Sequence, residues 1–133
     1  MARRWLALAG VAALAVWPAP LSAPLSAHHG AAAYDPDHVV TVSGTVTDFQ
    51  FNNPHVLVYF AAKTAKGEAD PWQGELTSPN RLGRVGWTKR TLKPGDSVTV
   101  TGMSAKNGRH SLWIQKIVGP DGQPLPTASD TDR

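Results

Sequence analysis

Strict two-residue alternation over residues 55–62 is the feature that most limits what this chain can become. Val56, Val58 and Phe60 fall on one face; His55, Leu57 and Tyr59 fall on the other. Only a strand sends successive side chains to opposite faces. The Val56 set is uniformly apolar and is assigned to the core. Asn52-Asn53-Pro54 in front of it is turn chemistry. The same period returns where Val98 and Val100 alternate with Ser97, Thr99 and Thr101. Residues 111–118 supply another strand, and Asn107-Gly108 between the two is a hairpin signal.

Residues 39–51 form the first strand. Val40, Val42, Gly44 and Val46 share a face, but Phe49 and Phe51 take the opposite parity. That change of phase predicts a bulge, and bulges curl a sheet. Gly44 marks a further bend. Trp72, Gly74 and Leu76 mark a weaker third strand after a polar loop. Ser78-Pro79 opens a short helix, with Ser78 as N-cap and Pro79 at its first position. It runs to about Val85, turns Leu82 and Val85 inward, and ends at Gly86. Five strands with a helix between the third and fourth is the element order of an OB-fold, a small Greek-key barrel. The expected class is therefore all-β, a five-stranded OB-fold-like barrel with one short helix. A five-stranded sandwich of another topology is the alternative.

Not all 133 residues enter that fold. Arg3 and Arg4 precede an apolar run, residues 5–17, which Pro18 and Pro20 terminate. A helix needs about 20 such residues to span about 30 Å of hydrocarbon. This order reads as a cleaved signal peptide over residues 1–27, cut after Ala27. Residues 28–38 are then a lead-in, 39–119 the barrel and 120–133 a disordered, proline-bearing tail. The expected location is the periplasm, with no membrane association after cleavage.

Removing the leader changes the charge argument. Thirteen Lys and Arg face ten Asp and Glu, and two of the cations leave with the leader, so the mature chain is +1. So small an excess argues against a nucleic-acid partner. The 106 residues after residue 27 suffice for one core. No cysteine is present, which removes disulfides, a lipid anchor, thiolate ligands and a thiol nucleophile.

His28-His29 at the new N-terminus is the strongest chemical constellation. His28 offers an α-amine and an imidazole that can chelate one ion, and a metal displaces the amine proton near neutral pH. His29 adds a second imidazole. Nitrogen ligands without thiolate favour Cu(II), with Zn(II) and Ni(II) behind. His55, off the core face at a strand start, is the chosen third ligand; His110, Asp35 and Asp37 are more distant candidates. Two histidines on a tail can equally be solvated and idle. The histidine-first chelate resembles the copper brace of oxidative polysaccharide enzymes in that one residue. Arg109 and His110 beside a hairpin turn, and His38, are read as solvated. Glu75 has no evident carboxylate partner, and no acid–base pair or phosphate-binding loop stands out.

Several segments together, His28-His29-Gly30, Tyr34-Asp35, SGTV at 43–46, Asn53-Pro54-His55, SPNRL and LKPGDSVTVTG, resemble an uncharacterised family of small exported bacterial proteins, domain-of-unknown-function family 6152. The likeness covers the mature chain except its tail, and it implies export and a barrel but no activity. A large residue frequent near the His-His-Gly of that family is replaced here by Ala31 to Ala33. A looser likeness is to periplasmic bacterial OB-fold proteins of stress tolerance.

The leading functional expectation is thus a periplasmic binding protein taking copper or zinc through His28, His29 and His55. The alternative is a metal-free module that binds an unknown periplasmic ligand or protein on an outer face around Tyr59 and Trp72. Trp72, Trp87 and Trp113 are otherwise expected to close the barrel and its helix. A copper-dependent oxidase is a third, minor reading.

Overall fold

A computed structural model describes residues 30–127. Residues 1–29, which hold the expected leader and His28 and His29, lie outside the described residues, as do residues 128–133. Among the described residues the strands are β1 (Tyr34–Gln50), β2 (Leu57–Lys63), β3 (Ala69–Glu75), β4 (Ser97–Ala105), β5 (Ser111–Val118) and β6 (Pro124–Leu125), with one α-helix, α1 (Pro79–Gly83), and a 3-10 turn at Ala31–Ala33. The sheet order is β3-β2-β1-β4-β5-β6, and β3 also pairs with β5 in parallel. That last pairing bends the first five strands into a ring with OB-fold connectivity.

Ring closure rests on β1, which pairs with two neighbours. Residues 34–45 run antiparallel to β4, and residues 45–50 run antiparallel to β2. Thr45 sits at the crossover, opposite both Ala61 and Ser97. The expected bulge is present: register slips between Val46 and Asp48, so Thr47 is the extra residue. Its effect is the change of parity seen between Val46 and Phe49.

β1 starts at Tyr34, five residues before the expected strand start at 39. The polar stretch Asp35 to His38 looked like loop, yet it is a second irregularity, with register slipping between Asp35 and Val39. Pro36 has no N–H for a ladder and is accommodated there. What draws the chain into the sheet is Tyr34, which is buried and sits opposite Ala105.

The core joins Val58 and Phe60 of β2 to Val98 and Val100 of β4 and to Leu112, Ile114 and Ile117 of β5. Leu82 of α1, Trp87 and Leu92 close it, all nearly or fully buried. α1 begins as expected: Pro79 occupies its first turn and the Ser78 hydroxyl accepts from the Arg81 amide. The turn before β4 is fixed by Asp96, whose carboxylate accepts from the Lys93 amide at 3.0 Å and its ammonium at 2.9 Å. Lys93 holds that carboxyl below its ordinary value.

The segment past Gly119 is not a loose tail as far as Thr127. β6 pairs with β5, and the Trp87 indole donates to the Pro126 carbonyl at 2.7 Å. A buried indole N–H requires an acceptor, and this segment supplies it.

Two glycines permit the tight curl. A Cβ on Gly102 would lie 2.2 Å from the Trp113 carbonyl oxygen, and one on Gly44 would lie 2.6 Å from that of Ala61. Both obstacles are backbone. Gly102→Ala is therefore expected to destabilise by at least about 2 kcal/mol. Gly83→Ala, in the helix with open space around it, should stabilise by roughly 0.5 kcal/mol. Urea denaturation of both variants tests this; a neutral Gly102→Ala would contradict the close approach.

Candidate functional site

The parallel contact between β3 and β5 aligns Gln73, Gly74 and Glu75 with Ser111, Leu112 and Trp113. Side chains alternate there. Leu112 joins the core, while Glu75, Ser111 and Trp113 take the other parity. β2 brings His55 to the same place, because Leu57, two residues on, lies opposite Glu75. The N-terminal end of β1 brings Tyr34.

These side chains form one network. His55 Nδ1 is hydrogen-bonded to Glu75 Oε1. The Tyr34 hydroxyl donates to the other carboxylate oxygen, Oε2, at 2.7 Å. That uses the phenolic proton, so Ser111 Oγ, 3.1 Å away, donates to Tyr34. Trp113 lies between the two rings, edge-on to His55 at 5.6 Å and tilted against Tyr34 at 6.0 Å. A carboxylate only accepts, so Nδ1 of His55 carries a proton and the neutral ring keeps its lone pair on Nε2. The side chain is 28 % exposed against 12 % for Glu75. The imidazole therefore reaches solvent from a fixed base.

Burial pushes the Tyr34 phenol from 10.0 up to about 12; the Ser111 hydrogen bond works against the rise, and the Glu75 carboxylate adds to it.

A second cluster stands on Asp70. One carboxylate oxygen accepts from the Trp72 indole at 2.9 Å; the other meets His110 Nδ1 at 2.7 Å. The two rings lie nearly parallel, 7° apart with centroids at 4.5 Å. They border an open cleft of about 390 Å³ that Val40, Lys106 and Arg109 also line.

This geometry corrects two readings of the sequence. Tyr59 and Trp72 do not share an outer face. Trp72 is paired with Phe60 and packs against the core, whereas Tyr59 is paired with Gln73. A bare alternation fixes which residues share a face within a strand but not the register between strands. His110, expected to be merely solvated, is held by a carboxylate and a ring, though it is half exposed. His38 is exposed, as expected.

Of the three chosen ligands, His28, His29 and His55, only His55 falls within the described residues. It is brought to Glu75, Tyr34 and Trp113, not to Asp35, Asp37 or His110. Among the described residues no group of three or more His, Asp or Glu is arranged to hold a metal ion. Sequence reasoning missed Glu75, Tyr34 and Ser111. Their shared feature is parity: Glu75 alternates against Gly74 and Leu76 just as Ser111 and Trp113 alternate against Leu112.

A ring of five strands with polar groups gathered at the junction of β3 and β5 defines a small OB-like domain. The chain belongs to the family of unknown function DUF6152, whose family model matches residues 18–112. No curated protein matches it. Among solved structures it is similar to the mitochondrial single-stranded DNA binding protein Rim1 of S. cerevisiae. The two share 12 % identity with a TM-score of 0.48, over 65 % of this chain and 93 % of that one.

The raised Tyr34 value gives a pH prediction. The neutral phenol is the form that folding favours, so its contribution is complete below pH 10.0 and is lost as pH rises through about 12. Phenolate absorbance of the wild type minus that of Tyr34→Phe should therefore have its midpoint near 12. A midpoint at 10.0 would show a phenol that is neither buried nor bonded to Glu75.

Proposed function

We propose that this is an exported periplasmic protein, cleaved after Ala27, that binds Cu(II), with Zn(II) second. The ligands are the α-amine and imidazole of His28, the imidazole of His29, and Nε2 of His55. Its role is binding, buffering or delivery of the ion. One observation carries the reading: His55 is oriented by a carboxylate through Nδ1. Metal-binding imidazoles characteristically give their second nitrogen to a carboxylate or carbonyl, which fixes the ring and raises its basicity.

Chain reach supports the same assignment. Tyr34, bonded to the carboxylate that holds His55, stands five residues after His29. Five residues span at most about 18 Å, and less here because Ala31–Ala33 form a 3-10 turn, which limits how far His29 can stand from Tyr34.

Equilibrium dialysis of the mature protein against Cu(II) tests the reading. A residual N-terminal Met or tag should weaken binding sharply, since it removes the His28 amine. His55→Ala should weaken it without unfolding the domain, and Glu75→Gln should cost about tenfold. Equal affinity of tagged and native forms sinks the N-terminal chelate. Unchanged affinity of His55→Ala removes that residue from the site.

The cleft beside Trp72 and His110 favours a second reading, a metal-free ligand module. Tryptophan fluorescence in excess chelator, titrated with periplasmic glycans or peptides, separates the two: a saturable change absent from Trp72→Phe supports it.

A further inference from the structure

The chemistry of the cleft beside Trp72 and His110 is mixed in a way that selects among ligands. β1 contributes Asp35 and Val40, the turn between β4 and β5 contributes Lys106, Arg109 and His110, and β3 contributes Trp72. Val40 and Trp72 pack against the core, so the cleft joins apolar contact to charged and polar groups. Its volume of about 390 Å³ suits a small molecule or one or two units of a chain.

The donors stand on a fixed frame. The Arg109 amide donates to the Asn107 side-chain oxygen at 3.1 Å, and the Arg109 carbonyl accepts from the Ser111 amide at 2.8 Å. The His110 carbonyl accepts from the Gln73 amide at 3.0 Å. The His110 ring is tied to Asp70 and stacked on Trp72, which lies 6.5 Å from the buried Phe60 ring. The Lys106 ammonium donates to the Ala32 carbonyl at 3.0 Å and keeps two further N–H groups. The Arg109 guanidinium is exposed and makes no hydrogen bond or ion pair among the described residues. Its planar fork of five donors is therefore free on a pinned backbone. Asp35 supplies the opposite function. One of its carboxylate oxygens accepts from the Asp37 amide at 3.0 Å, and the other has no partner among the described residues.

We propose that this cleft binds an acidic saccharide, with the sugar carboxylate on Arg109 and Lys106 and ring hydroxyls on Asp35. The inference rests on the metal-free reading of the cleft and gives that reading a ligand class. Arg109 and Lys106 favour an oxyanion, and a guanidinium matches a carboxylate through two parallel hydrogen bonds. Asp35 disfavours a bare oxyanion, which brings it more negative charge and little to donate. A uronic acid carries both parts on one ring, a carboxylate for the cations and neutral hydroxyl donors for the acid. The exposed imidazole of His110 adds a flat surface for the ring to lie against.

The test is titration calorimetry of the mature protein, freed of metal by prior dialysis, with four probes: trigalacturonate, its methyl ester, inorganic phosphate and trialanine. Trigalacturonate should bind saturably. Its ester, which keeps the hydroxyls and loses the charge, should bind at least about tenfold more weakly. Arg109→Gln should lower affinity for the acid by about tenfold or more and leave the ester unchanged. Lys116→Gln removes an exposed cation of β5 that is not among the residues lining the cleft, and should change neither. Both substituted residues are exposed, and circular dichroism verifies the folds. Equal affinity for acid and ester, or an Arg109→Gln variant that binds the acid as the wild type does, overturns the acidic-saccharide assignment while leaving a ligand-binding cleft. Tighter binding of phosphate or trialanine overturns the saccharide. No response to any probe, with fluorescence silent toward other glycans and peptides, overturns this proposal and the metal-free reading together.

Discussion

The double pairing of β1 is the constraint on which the molecule depends. One strand lends its first part to β4 and its last part to β2, and the changeover occurs within the few residues around Thr45. A flat strand cannot do this. The turn is made by Gly44, where the partner backbone approaches too closely for a side chain, and by the extra residue at Thr47. Once β1 curls, β2 and β3 are carried round until β3 meets β5. The core follows from that closure, because Val58, Phe60, Val98, Val100 and Leu112 then face one another inside the ring.

The same closure assembles the polar network. Tyr34, His55, Glu75 and Ser111 lie on three different strands and one strand approach, separated by 20 to 77 positions in sequence. No single segment of the described residues contains the network. Glu75 is the shared member, with one oxygen for the histidine and the other for the tyrosine. Its placement converts a partly exposed imidazole on a strand approach into one of fixed orientation and fixed tautomer.

Much of the fold was legible because it is written in local patterns. Period two marked the strands, Ser78-Pro79 marked the helix start, Asn107-Gly108 marked the hairpin, and the parity change between Val46 and Phe49 marked the bulge. What was not legible is long-range. Register between strands decided that Trp72 lies with Phe60 and not with Tyr59. The need of Trp87 for an acceptor decided that Pro126 is ordered, and nothing near Pro126 signals it. His55 could be chosen from its position off the core face. Glu75 could not, since its partners stand 20 and 41 residues before it.

The contact between β3 and β5 has a character of its own. It is the shortest ladder in the ring, three aligned residues on each side, and two of its members, Glu75 and Ser111, also grip Tyr34. Backbone pairing there is reinforced by side chains that belong to the site. The seam and the site are therefore one object. Regions with few bonds open before the whole molecule unfolds, and separating this seam would pull Ser111 from Glu75 and release the end of β1. Loss of the site and breach of the ring would then be a single event, so that the orientation of His55 serves as an internal gauge of whether the ring is shut.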